Sequence, residues 1–197
     1  MVFPTLQFLI FFAVVLAANA VLTPGDRGQW RAGARKALLL AASYVFYAAW
    51  DWRFCFLMAG VSAVAWLGGL WVRDARRGRL ALILTLTALL GTLAVFKYAG
   101  FFLVSLQQLL DAVGLSRDFG WMRVILPVGI SFYTFQAISY IVDVKRGEIA
   151  PRRNPFDVAL YISFFPQLVA GPIVRASHFL PQIDRPHPVD AAARGLA

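Results

Sequence analysis

Apolar residues in this chain come in long runs, not in strict alternation or narrow stripes. Runs occupy residues 2–22, 37–50, 54–72, 80–110, 126–143 and 156–174, with short polar segments between them. Several approach the roughly 20 residues that cross about 30 Å of hydrocarbon at about 1.5 Å per residue. The pattern therefore predicts an all-α fold, a polytopic transmembrane helical bundle of about six membrane segments, with the last kinked or re-entrant.

Residues 2–22 end near Ala18-Asn19-Ala20, which resembles a signal-peptidase site. No Lys or Arg precedes the run, and Arg27, Arg31, Arg35 and Lys36 follow it, the wrong polarity for export. A retained first helix with an extracytoplasmic N-terminus is predicted. Residues 37–50 are short for a span, and Asp51-Trp52-Arg53 makes a polar turn whose aromatics suit the membrane interface. Residues 54–72 return to a second basic loop holding Arg73, Arg76, Arg77 and Arg79. A helical hairpin between two basic loops places both on the cytoplasmic side.

Residues 80–110 read either as two spans around Lys97 or as one helix. One helix keeps the basic segment 145–153 on the side of the other basic loops, so one helix is predicted. At about 1.5 Å per residue it measures about 45 Å and must project or bend, with Gly100 a place to bend. Lys97 at mid-membrane costs about 2.5–3.5 kcal/mol unless it snorkels, and snorkelling is the reading adopted. Residues 111–123, with Gly114 and Gly120, read as an outward loop.

Composition changes this picture little. The chain is 60% hydrophobic and 15% charged, which excludes an ordinary soluble domain. A net charge of +9 raises nucleic acid as a partner, but the arginines cluster in loops between apolar runs, where they set orientation. The partner expected is the lipid bilayer, not nucleic acid. Cys55 is the single cysteine, so no intrachain disulfide and no Cys-based metal framework is expected.

Residues 126–175 combine apolar length with polar content, which hydrocarbon tolerates only where protein or a cavity shields it. From Pro127, placed in a first helical turn, a helix runs to Asp143. Gln136, Ser139, Tyr140 and Asp143 share one face at i, i+3, i+4, i+7, with Ile130, Thr134, Ile138 and Ile141 roughly opposite. These polar groups either bond neighbouring helices, at about 0.6 kcal/mol each, or line an internal path. In the next run Pro166 and then Gly171-Pro172 interrupt helix formation, so residues 165–173 form a kinked or re-entrant segment carrying Gln167, with Arg175 close behind. After Arg175 the chain reads as a polar, proline-containing tail.

Two linked segments, LPVGISFYTFQAISYIVDVKRG and NPFDVALYISFFPQLVAGPIVRA, resemble the membrane-bound O-acyltransferase family in its bacterial alginate O-acetyltransferase branch. KALLLAASYVFYAAWDWRF and FKYAGFF resemble it too, so the likeness covers about residues 2–182. It implies a multi-pass acetyltransferase of the cell inner membrane, using acetyl-CoA as donor with no bound cofactor and no metal. The group passes towards an extracytoplasmic polysaccharide, with acetylation partner proteins on that side.

The resemblance also implies a membrane-embedded histidine in a Trp-His-Gly context, which this sequence lacks. His178 in ASHFLPQ and His187 between two prolines do not fit that role. Residues 1–197 are therefore expected to be the N-terminal part of one membrane-embedded acyltransferase domain, truncated before the catalytic histidine and inactive alone. The path-lining residues implied are Gln136, Ser139, Tyr140, Asp143, Gln167, Gly171, Pro172 and Arg175. D-alanyl transfer to teichoic acid shares the pattern, and a transporter or structural subunit also uses broken helices.

Overall fold

The computed structural model describes residues 5–22, 29–114 and 127–184. Those residues form eight helices and no strand: α1 Leu6–Leu22, α2 Gln29–Asp51, α3 Arg53–Trp71, α4 Gly78–Ala112, α5 Ile130–Arg146, α6 Pro155–Ser163, α7 Phe165–Ala170 and α8 Ala176–Asp184. Most of the outward-loop segment, together with Arg27 and His187, lies outside the described residues.

The runs read from the sequence become helices with two changes of boundary. α2 starts at Gln29, so the basic residues Arg35 and Lys36 lie inside the helix and not in a loop before it. α5 starts at Ile130, because Gly129 takes a left-handed φ of 76° and Pro127 stays in the preceding turn. The 80–110 run is a single helix, α4, of 35 residues.

α3 and the stretch Gly78–Tyr98 of α4 are long and apolar enough to cross a membrane. α2 has 23 residues but carries Arg31, Arg35, Lys36 and Asp51, α1 and α5 have 17 residues each, and α6 to α8 have six to nine, so length and apolar composition together mark two spans among the described helices. The last apolar run fails the length test through breakage, being divided into α6 and α7.

α3 and α5 share the centre of the packing. α5 touches α3, α4, α6 and α8, while α3 also meets α2, α4 and α6. Tyr133, Ala137, Tyr140, Ile141 and Val144 are fully buried, and so are Thr134 and Gln136. Both the polar and the apolar face of α5 are therefore covered by protein. Close helix approach comes from small residues on α3. A Cβ added to Gly68 would lie 2.5 Å from Thr85 of α4, and one added to Gly69 would lie 2.6 Å from the Tyr140 ring of α5.

The outward faces of α1 and of the second half of α4 are largely apolar. Leu6, Leu9, Ile10 and Val14 of α1, and Phe101, Phe102, Val104 and Leu109 of α4, are exposed. Lys97 is exposed beside them, with its Nζ 5.6 Å from the Tyr98 ring centroid.

Candidate functional site

The helix break sits two residues before Pro166. α6 ends at Ser163, and Phe164 leaves helical geometry at φ −56° and ψ 104°. Continuing the helix would drive the Pro166 ring into the carbonyl four residues earlier, whereas in the first turn of α7 its missing N–H costs nothing. Gly171 then leaves α7 in extended geometry, φ −94° and ψ 152°.

Protein groups bond to the chain on both sides of the break. Phe165 N donates to Ser43 Oγ of α2 at 3.3 Å, and Tyr161 O–H donates to the Val174 carbonyl at 2.8 Å. The Phe165 ring sits against Phe11 at 5.3 Å and Phe46 at 5.6 Å between centroids, which holds α7 against α1 and α2. The segment is thus a broken helix whose start packs against α1 and α2.

Gln136 and Gln167 meet across this break. Gln136 Nε2 donates to Gln167 Oε1 at 2.6 Å. Gln136 has no exposed surface, and its Oε1 has no partner among the described residues. Gly171 folds back over the same residue, since a Cβ there would lie 2.9 Å from Gln167 Cα.

Asp143, one turn before the end of α5, is 2% exposed. Its Oδ2 accepts from Ser177 N at 3.3 Å, placing a carboxylate on the first turn of α8. Tyr140 O–H accepts from Arg152 N at 3.0 Å. Ser139 is half-buried, Pro172 is exposed, and Arg175 is exposed with its Nη1 4.0 Å from Glu148 Oε2. Of the eight residues read from the sequence, the structure pairs Gln136 with Gln167 and brings Gly171 against the latter. Tyr140 and Asp143 instead fix the loop before α6 and the start of α8.

A polar cluster beyond that set lies at the opposite end of the broken segment. Lys36 Nζ contacts Asp157 Oδ1 at 2.9 Å and Asp184 Oδ1 at 2.7 Å, while Arg152 Nη1 contacts Asp184 Oδ2 at 2.6 Å. Arg35 Nη1 adds a bond to the Ile183 carbonyl at 3.3 Å. Trp66 Nε1 holds the Arg152 carbonyl at 3.0 Å. Burial alone raises the Asp184 pKa, but hydrogen bonds from Lys36 and Arg152, helped by their charges, bring it below its usual value. An apolar groove of about 670 Å³ runs from Lys36 and Asp157 along Ala37, Ala41, Ala63 and Trp66. None of the eight expected lining residues borders it.

Where the sequence predicts a polar tail after Arg175, the structure has the helix α8. Its buried residues Ala176, Phe179, Leu180 and Ile183 follow i, i+3, i+4, i+7, a signal present in the sequence but masked by Pro181. His178 lies on the exposed side of this helix.

Known proteins match along nearly the whole chain. It is 40% identical over 203 residues, 99% of this chain, to "Probable alginate O-acetylase AlgI" of Pseudomonas aeruginosa. The protein of the same name in Pseudomonas putida is 38% identical over 99% of the chain. A "Peptidoglycan O-acetyltransferase" of Helicobacter pylori is 32% identical over 89% of it. The chain spans 37%, 40% and 39% of those relatives' lengths, respectively. No family profile and no solved structure matches it. Over 99% of its residues, then, the chain is similar to bacterial alginate O-acetylases, members of the membrane-bound O-acyltransferase family, as its two linked segments indicated.

Proposed function

We propose that these residues form part of the wall of an acyl-transfer path in a membrane O-acetyltransferase. The enzyme carries acetyl groups from a cytoplasmic donor, acetyl-CoA, towards an extracytoplasmic polysaccharide of the alginate type. The observation that carries this reading is the Gln136–Gln167 hydrogen bond, which joins a buried helix to a broken one inside the protein. Such a junction leaves amide chemistry at membrane depth, where a path for a polar group needs it.

In this reading α1 to α5 and the broken α6–α7 unit account for about six membrane segments of an inner-membrane bundle. The N-terminus is extracytoplasmic, and the basic residues from Lys145 to Arg153 face the cytoplasm. Acetylation proteins on the far side accept the group. The general base is a histidine belonging to the portion of the relatives that this chain does not span, and His178 is not that residue. The Helicobacter pylori relative favours a second acceptor, peptidoglycan, within the same chemistry.

The test uses a protein completed to the relatives' full length. Gln167→Ala and Arg175→Ala are compared with wild type at matched membrane level, and ester-linked acetyl is measured on exported polysaccharide and on peptidoglycan. The expected result is loss of acetyl from exported polysaccharide in Gln167→Ala. Unchanged acetylation in both variants removes both residues from the path.

A further inference from the structure

We propose that Gln136 and Gln167 act as one unit, in which Gln136 orients Gln167 so that the Gln167 amide nitrogen donates a hydrogen bond to the carbonyl oxygen of the transferred acyl group. This rests on the acyltransferase reading and assigns an atom within it.

Gln136 and Gln167 both end in a primary amide. Each carries one acceptor oxygen and a nitrogen with two hydrogens. Gln136 Nε2 already occupies Gln167 Oε1 at 2.6 Å. With its oxygen committed to the buried helix, Gln167 must direct its nitrogen elsewhere, because the two atoms diverge from the same carbon. Among the described residues nothing accepts from Gln167 Nε2, and Gln167 is only partly buried whereas Gln136 is wholly so. The donor therefore faces the accessible side of the break.

Reversing both amides would leave a Gln136 N–H without a partner in place of its carbonyl oxygen. Orphaned buried N–H groups are rarer than under-satisfied carbonyl oxygens, so the observed sense is the favoured one. The backbone supports the same orientation. Gln167 N donates to the Phe164 carbonyl at 3.0 Å, and Gly171 N donates to the Gln167 carbonyl at 3.2 Å. A donor held in this way needs no rearrangement at the moment of reaction.

In acyl transfer from a thioester to a hydroxyl, a C–O bond forms and the C–S bond breaks. The hydroxyl proton passes through the base to the departing thiolate, which leaves as thiol. Between these events the former carbonyl oxygen carries negative charge, and that oxygen is the atom a fixed amide N–H serves best. An orienting Gln136 affects the reaction only through Gln167, so it is a positioning residue.

The test compares Gln167→Glu with wild type in the completed protein, using purified acetyl-CoA and an oligosaccharide acceptor. Glutamate keeps the shape and still accepts from Gln136, but loses the donor. Expected is a fall in kcat of about a hundredfold or more with little change in KM for acetyl-CoA. Gln136→Met should lower kcat less, and Gln136→Glu should also fall short of wild type because it cannot donate to Oε1. A second readout is the infrared carbonyl stretch of bound ¹³C-labelled acetyl donor, shifted down in wild type and returned upward in Gln167→Glu. An active wild type with kcat unchanged in Gln167→Glu and no carbonyl shift overturns this inference alone. A completed wild-type protein that transfers no acetyl overturns the acyltransferase reading, and this inference with it.

Discussion

Arg152 Nη1 and Asp184 Oδ2 lie 2.6 Å apart and join the loop before α6 to the last turn of α8, 32 residues later. Lys36 of α2 contacts the same carboxylate from the other side, so Asp184 is shared by two cations. The chain turns at the break in α6–α7 and comes back to meet itself at this cluster.

Because the folded Asp184 pKa is depressed, its contribution to stability is complete above the unfolded carboxylate value, near 3.9. It is lost as pH falls through the lower folded value. Asp184→Asn should therefore destabilise the chain in detergent at neutral pH by about 1 kcal/mol, since partly exposed pairs are individually weak. The difference from wild type should shrink below about pH 4. Thermal unfolding followed by circular dichroism between pH 3 and 7 checks this, and a pH-independent difference would assign the loss to shape and not charge.

Tyr140 has two duties, filling the space against Gly69 and accepting the Arg152 amide at 3.0 Å. Tyr140→Phe keeps the first and removes the second. We expect a loss of about 1–2 kcal/mol, because the Arg152 N–H is left without its partner. Hydrogen exchange should speed up at Arg152 while α3 amides near Gly69 stay protected. Exchange that rises equally across α3 and α5 would show that the ring, not the hydroxyl, was disturbed.

What could be read from the chain depended on whether its cause was local. The break of the last apolar run was legible because Pro166 and Gly171 act on their own backbone. The single helix α4 was legible because charge in the flanking loops selects it. The start of α2 was not, since Arg35 and Lys36 look like loop residues until Asn19, Ile183, Asp157 and Asp184 supply their partners. α8 was hidden by Pro181, which sits exposed while the buried stripe passes beneath it. The pairing of Gln136 with Gln167 spans 31 residues and depends on how α7 folds back, so composition and spacing named both residues but not their bond.

The glycines of the bundle separate into two kinds. Gly69→Ala would set a methyl 2.6 Å from the buried Tyr140 ring, whereas Gly91 and Gly60 have nothing within 4 Å of such a Cβ. Gly69→Ala should cost about 1–3 kcal/mol through overpacking. Gly91→Ala should be neutral or stabilising by up to about 1 kcal/mol through helix propensity. Urea or heat unfolding of the two single variants in one detergent ranks them, and equal effects at Gly69 and Gly91 would contradict the close α3–α5 approach.

Gly171 offers the sharpest check on the break. Its φ of −94° is open to any residue, so substitution there carries no backbone strain. The obstacle is steric alone, a Cβ 2.9 Å from Gln167 Cα, and a main-chain atom cannot swing aside as a flexible side-chain end can. Gly171→Ala must therefore shift α7 relative to the extended segment and loosen Gln167 from Gln136. In a protein completed to the relatives' length, acetyl transfer should fall about tenfold to a hundredfold, the scale of a misplacement near 1 Å. Gly60→Ala, made on the exposed side of α3, should leave it unchanged. Shortening the side chain opposite cannot rescue this variant, because the clash is with backbone. Wild-type transfer in Gly171→Ala would mean that α7 gives way freely, and that Gln167 is not held where Gln136 places it.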